Sequence, residues 1–230
     1  MMMQRIPEPE LMEDEEQVLA YAEADFEAPN SHFISLLEAF PVGRAVEGYV
    51  LDLGCGPGDI TFRLADLFPD CIIHGADGSD AMLRYAKQRL ARSSHLHDRI
   101  HFVQGILPNA TLPCDHYDAV VSNSLLHHLV DPQILWEAVK HWAQPKAPVF
   151  IMDLIRPGSP DQARQLVDTY AADEPDILRR DFYNSLLAAF TMDEITSQLT
   201  TAGLGHFSVE QVSDRHVVIG GYRGSWVGCR

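Results

Sequence analysis

The segment VLDLGCGPGD, residues 50–59, constrains this chain more than any other. It sets Asp52, Gly54, Gly56 and Gly58 two apart, between an apolar run and an amphipathic one. Glycine tolerates the left-handed backbone region and lets a ligand come against bare main chain, so the run predicts a strand, a ligand-binding turn and a helix. The same residues narrow the ligand. A dinucleotide-binding turn needs a third glycine where this chain has Asp59, and a carboxylate opening the helix repels a pyrophosphate at the helix N-terminus. No Gly-Lys-Ser/Thr follows, which excludes a nucleoside-triphosphate loop. The turn suits an adenosyl ligand without phosphates.

Around this turn, apolar clusters alternate with helical patterns. Strands are expected at residues 49–53, 71–76, 100–103, 117–122 and 149–154. Helices are expected at 59–68, 79–91 and 132–142, the last with Pro132 in its first turn. Upstream, Ser31 can cap a helix over 32–40 that Pro41 stops. Downstream the alternation breaks: 161–170, 175–189 and 192–202 read as helices, and 207–212 and 217–222 as a hairpin. The pattern predicts an α/β fold, a doubly wound, mostly parallel seven-stranded sheet (Rossmann-like) with an antiparallel last strand. One domain over residues 1–230 is expected. It has an N-terminal helical arm (1–47), a ligand-binding core (48–156), a helical cap (157–191), and a last helix with the hairpin (192–230).

Charge excludes several classes. The 17 Lys+Arg against 33 Asp+Glu give a net charge of −16, unsuited to broad binding of nucleic acid or anionic membrane. Nine acids and one base fall within residues 1–27, which reads as a solvated helix face or a frayed arm. Only its end, 21–33, mixes aromatics with acids as a segment folded over a site would. Apolar runs such as Val149–Met152 are too short to span a bilayer, and the acidic start lacks targeting character, so a cytoplasmic location is expected. Cys55, Cys71, Cys114 and Cys229 show no paired spacing, and the eleven His pair with no acids at a metal-ligand spacing, so neither disulfide nor metal is expected.

On the glycine motif and on HGADGSDAML (residues 74–83), the chain resembles the class I S-adenosylmethionine-dependent methyltransferases. The resemblance implies S-adenosylmethionine as cofactor. It implies that Asp77, ending the second strand, takes both ribose hydroxyls; a carboxylate is acceptor-only and can accept both protons. It assigns Asp52 and the Gly54 backbone to the methionine end. Cys55, Gly56, Gly58, Gly78 and Met82 complete the cofactor pocket, with Met82 against the adenine. After the third strand, Gly105-Ile106-Leu107 replaces the acid that relatives often offer to the adenine amino group. Ile106 can cover the ring but cannot bond it, which leaves Gln104 or a backbone carbonyl for that contact.

The fourth strand runs into SNSLLHHLVDP, residues 122–132. By resemblance this end faces the sulfonium, with Asn123 and Ser124 orienting the methionine or the acceptor. It matches the small-molecule branch and lacks the Asn/Asp-Pro-Pro-Tyr/Phe segment of base- and glutamine-methylating enzymes. His127 and His128 are candidate general bases, because a near-neutral pKa suits proton removal. Adjacent residues on a helical turn point about 100° apart, so one is expected to face the ligand, and His128 matches the family's recurring histidine. Asp153 and Arg156 are expected at the pocket mouth, where Arg156 could hold an acceptor carboxylate. Tyr21 in the arm and Tyr183 in the cap are the expected lid residues. The implied activity is methyl transfer to a small-molecule acceptor. The alternatives are a tRNA or protein acceptor, other chemistry on the same cofactor, and a nonenzymatic binder of it.

Overall fold

The computed structural model describes residues 3–9, 11–40 and 46–224. Pro41, expected to stop the arm's second helix, and Cys229 lie outside them. Seven strands are present: β1 (Tyr49–Leu53), β2 (Ile72–Asp77), β3 (Ile100–Gln104), β4 (Ala119–Asn123), β5 (Pro148–Leu154), β6 (Ser208–Gln211) and β7 (His216–Tyr222). They form one sheet in the order β3-β2-β1-β4-β5-β7-β6. The first five run parallel, while β7 lies antiparallel between β5 and β6. The Ser213–His216 turn, in which the Ser213 N–H donates to the His216 carbonyl and the Ser213 hydroxyl oxygen accepts from the His216 N–H, makes the final pair a hairpin as expected.

Among the described residues eight α-helices accompany the sheet: α1 (Glu15–Glu23), α2 (Glu27–Ala39), α3 (Asp59–Leu67), α4 (Asp80–Ala91), α5 (Gln133–Trp142), α6 (Pro160–Tyr170), α7 (Asp176–Ala188) and α8 (Met192–Thr201). The arm's second helix starts at Glu27, a turn earlier than Ser31 suggested, because Ser31 instead hydrogen-bonds Glu27 within the helix. None of the described helices is long and apolar enough to cross a membrane.

Strand periodicity decides which face each residue serves. Leu51, Leu53, Val149 and Ile151 point to one side and meet Leu135, Trp136, Val139 and Trp142 of α5, together with Ile195 and Leu199 of α8. Burying such a side chain contributes about 2 kcal/mol, so α5 is held by its apolar stripe rather than by its ends. Val50, Ile73, Val121 and Phe150 point the other way, onto Phe33 and Leu37 of α2 and Ile60 and Leu64 of α3. A third apolar cluster joins α6 and α7 to Leu154 and forms the cap.

The chain leaves β1 toward β2 on one side and reaches β4 on the other. This reversal of strand order opens a crevice at the carboxyl ends of β1 and β4, where α/β sheets bind ligands. The Ser122 hydroxyl donates to the Leu53 carbonyl at 2.8 Å and locks the two strand ends together below it.

Candidate functional site

The crevice is a cavity of about 440 Å³, ordinary for a small-molecule or cofactor site. Its floor is the turn after β1. Gly54, Gly56 and Gly58 have φ of +71°, +52° and +92°, which explains three glycines in five residues. Their surroundings differ. A Cβ on Gly54 would strike Leu125 and one on Gly58 would strike Phe102, whereas one on Gly56 would meet nothing within 4 Å. Gly56 therefore presents bare main chain to the cavity. Gly58 sits behind the floor and serves packing, not the lining expected of it.

Two carboxylates stand at this end. Asp77 accepts hydrogen bonds from the backbone N–H of Gly56 and of Ser79, each 2.8 Å, so it ties the glycine turn to the start of α4. Burial pushes its pKa up, against the pull of those N–H groups. Asp52 accepts from the Thr61 hydroxyl at 2.6 Å through one oxygen, while its Oδ1 is buried without a partner. Burial, with Asp77 nearby, drives its pKa up to about 7. The Asn123 Oδ1 is a second buried acceptor without a partner. Cys55, Gly78, Met82, Gly105, Ile106 and Ser124 also line the cavity, as expected, with Ser124 held at φ +58°. Gln104 does not line it; its amide turns to the Gly78 carbonyl at 3.5 Å.

At the other end, a single 3₁₀ turn, Leu126–His128, carries the two histidines. Both line the cavity, where one was expected. Their rings lie 4.2 Å apart at 34°. Nδ1–H of His127 donates to Asp153 Oδ1 at 2.6 Å, and Asp153 also accepts from the backbone N–H of Leu126 and Leu154, each 2.7 Å. Burial disfavours a charged His127, but Asp153 and Glu8 outweigh it and raise its pKa. His128 is pushed down to about 3 by burial and by His127. As a proton acceptor His127 thus outranks His128, the reverse of the expected order.

Three expected acceptor residues stand elsewhere. Asp153 is not at the mouth; it is 1% exposed beneath His127, because β5 directs it into the sheet's end. Arg156 does not line the cavity: it pairs with Glu194 at 2.6 Å and donates to the Ala189 carbonyl, which uses the charge meant for an acceptor. Tyr183 packs within the cap. Tyr21 does line the cavity, stacked beside Phe26 at 4.7 Å, and burial lifts its pKa to about 12. The arginine on the wall is Arg215, which stacks on Tyr170 with its guanidinium carbon 3.3 Å from the ring centre.

The segment before α1 supplies what the sequence did not signal. Arg5 donates to the carbonyls of Ala188, His127 and Leu129, and lies 3.9 Å from the centre of the Phe190 ring. Ile6 N–H donates to Leu187 O at 3.0 Å. Glu8 then stands 3.6 Å from His127 Nε2 and 3.3 Å from His128 Nδ1, and accepts from the Ser185 hydroxyl at 2.9 Å. Burial raises its pKa, against the pull of His127. Beyond it, Leu11 reaches Gly78, and the Met12 carbonyl accepts from Ser79. The acidic start is therefore a strap over the cavity from the histidines to the glycine floor. The one legible sign was Pro7-Glu8-Pro9, whose prolines hold the chain extended.

Comparison with known proteins agrees with this geometry. Residues 51–149 match the family described as "Methyltransferase domain". An uncharacterized methyltransferase of Mycobacterium tuberculosis is 31% identical over 129 residues, 56% of this chain and 60% of that protein. A trans-aconitate 2-methyltransferase of Azoarcus is 31% identical over 129 residues, 56% of this chain and 46% of that protein. The chain thus spans less than two thirds of the length of either relative. A crystal structure of a putative S-adenosyl-L-methionine-dependent methyltransferase from Methanococcus maripaludis superposes with a TM-score of 0.69 at 19% identity, covering 93% of this chain and 96% of that one, a likeness of fold.

Proposed function

We propose that the chain is a class I S-adenosylmethionine-dependent methyltransferase and that it transfers a methyl group from S-adenosylmethionine to a small-molecule acceptor held between the histidine turn and the cap. One observation carries the reading. A single cavity has bare main chain, the buried Asp52 and the half-buried Asp77 at one end, and a carboxylate-backed histidine pair at the other. Burial, with Asp77 adding to it, raises the Asp52 pKa, and Asp52 Oδ1 and Asn123 Oδ1 are buried acceptors without donors. A ligand with an ammonium group and a ribose diol satisfies both needs; a phosphate worsens them. The residues present fit S-adenosylmethionine.

Bound there, this cofactor supplies a methyl group already activated on a sulfonium. The chain has to align the acceptor, exclude water and dispose of any proton the acceptor loses. Asp77 holds the sugar, Asp52 and Asn123 the amino end, and Met82 and Ile106 flank the base. Leu11, Met12 and Tyr21 cover the cofactor end. Glu8, His127 and His128 activate the acceptor, and Asp153 fixes the His127 tautomer. A roofed cavity favours a small molecule over a tRNA or protein acceptor, and the net charge of −16 further disfavours RNA.

Calorimetry with S-adenosylhomocysteine tests the cofactor assignment. Asp77→Ala removes bonds to both ribose hydroxyls, each involving a charged group and worth about 1.5–3 kcal/mol, so affinity falls by about 100-fold or more. Unchanged affinity in a folded Asp77→Ala protein refutes the assignment. Release of S-adenosylhomocysteine on adding small carboxylic acids, thiols, phenols or amines separates an enzyme from a binder.

A further inference from the structure

We propose that Glu8, His127 and His128 bind a divalent transition-metal ion whose open coordination positions face the acceptor end of the cavity. The argument begins with where the protons are. His127 gives its Nδ1–H to Asp153, which leaves Nε2 of the neutral ring a bare lone pair. His128 has the Pro9 backbone beside its ring, while its Nδ1 is buried and has no hydrogen-bond partner. A neutral His128 ring with its proton on Nε2 offers Nδ1 as the second lone pair. Glu8 brings a carboxylate against both. Three ligand atoms therefore converge within 4.8 Å of one another, joined by no hydrogen bond among themselves.

Distances match a cation better than hydrogen bonds. The 3.6 Å from His127 Nε2 to Glu8 is too long for a hydrogen bond, and the 3.3 Å from His128 Nδ1 accompanies no acceptable geometry. Ligand atoms about 2.0–2.1 Å from a tetrahedral ion lie roughly 3.3 Å from each other, so the trio closes on an ion with small side-chain shifts. The surroundings supply the usual support. A metal-binding histidine gives its other N–H to a carboxylate, as His127 does to Asp153. The Ser185 hydroxyl bonds the Glu8 carboxylate, and Ser185 is itself on the cavity wall. Two imidazoles and one carboxylate select zinc, iron or cobalt over magnesium or calcium, which prefer all-oxygen sites. Three protein ligands leave a position for an outside oxygen, nitrogen or sulfur, the arrangement of catalytic rather than structural sites. On the methyl-transfer reading above, that position polarises the acceptor atom and eases loss of its proton.

The test uses untagged protein stripped with a chelator and titrated with Zn²⁺, Co²⁺ or Mg²⁺ alone. Zn²⁺ and Co²⁺ are expected to bind with one equivalent per chain, Co²⁺ with the visible absorption of a low-coordinate site, and Mg²⁺ not at all. Glu8→Gln and His128→Ala are each expected to weaken Zn²⁺ binding by about 100-fold or more, since even loss of a supporting partner costs 10–100-fold. Glu8 lies on the strap outside the sheet, so its variant stays informative should His128→Ala fold poorly. Absence of one-equivalent binding, or equal affinity in folded Glu8→Gln, overturns the proposal. S-adenosylhomocysteine binding by the wild-type protein, measured in parallel, reports separately on the cofactor assignment.

Discussion

Two glycines of one turn should fail in opposite ways. Gly56→Ala adds a methyl group that meets no protein atom within 4 Å, at φ +52°. Its folding cost is the left-handed strain alone, about 1–2 kcal/mol. In a 230-residue chain that lowers Tm by about 5 °C or less. The methyl projects into the space a ligand must enter, and crowding of that kind costs about 1–3 kcal/mol, so affinity for S-adenosylhomocysteine drops by about 10–100-fold. Gly58→Ala carries similar strain and also drives its Cβ to 2.9 Å from the Phe102 ring. Strain and overpacking together reach about 2–5 kcal/mol, a loss of about 10 °C in Tm. Gly58 does not line the cavity, so the folded fraction binds within about threefold of wild type. Thermal melts by circular dichroism and calorimetry at a temperature where both variants are folded separate the two effects. Intact binding in Gly56→Ala, or lost binding without lost stability in Gly58→Ala, refutes the division of labour argued for this turn.

Two further outcomes are expected. Arg156→Met should destabilise the protein by about 1–3 kcal/mol, because Glu194 loses its partner, yet leave the Michaelis constants of carboxylate acceptors unchanged; a selective rise for those acceptors returns Arg156 to the site. His74, hydrogen-bonded to the Tyr117 hydroxyl, is pushed down to about 4 by burial and by His101. Unfolded, it titrates near 6.5, so between pH 6.5 and 4 the unfolded chain binds the extra proton and stability falls as pH falls, by at most about 3 kcal/mol. Above pH 6.5 this contribution is fully present; urea titrations should show a shallower slope in His74→Asn than in wild type, the remainder coming from His128 and His216, and identical slopes would assign it elsewhere.

The glycine floor was legible because its cause is local: positive φ and close approach act within five residues. The sheet was legible for a similar reason, since each strand's alternation or apolar run reports its own burial. Asp77 was singled out by the family resemblance, from its place at a strand end. What escaped depends on partners far apart in the chain. Asp153 and Arg156 close a strand at the pocket end, and nothing within three residues says that one will be claimed by His127 and the other by Glu194. Glu8 lies 119 residues before His127, in a stretch whose composition reads as a solvated fringe. The order of the two histidines as bases was equally hidden, because burial and Asp153 set it, not the dipeptide.

The strap fastened by Arg5 changes what counts as the working unit. A boundary drawn where the sheet begins would look generous, for it keeps every strand and every glycine. It would also strip the ceiling from the reaction chamber, leave Asp153 and the two rings facing bulk water, and discard a carboxylate that no later residue replaces. Trimming what looks like ragged, acidic overhang would also pull Phe33 and Leu37 out of one face of the core, so the loss reaches the fold as well as half of the acceptor end.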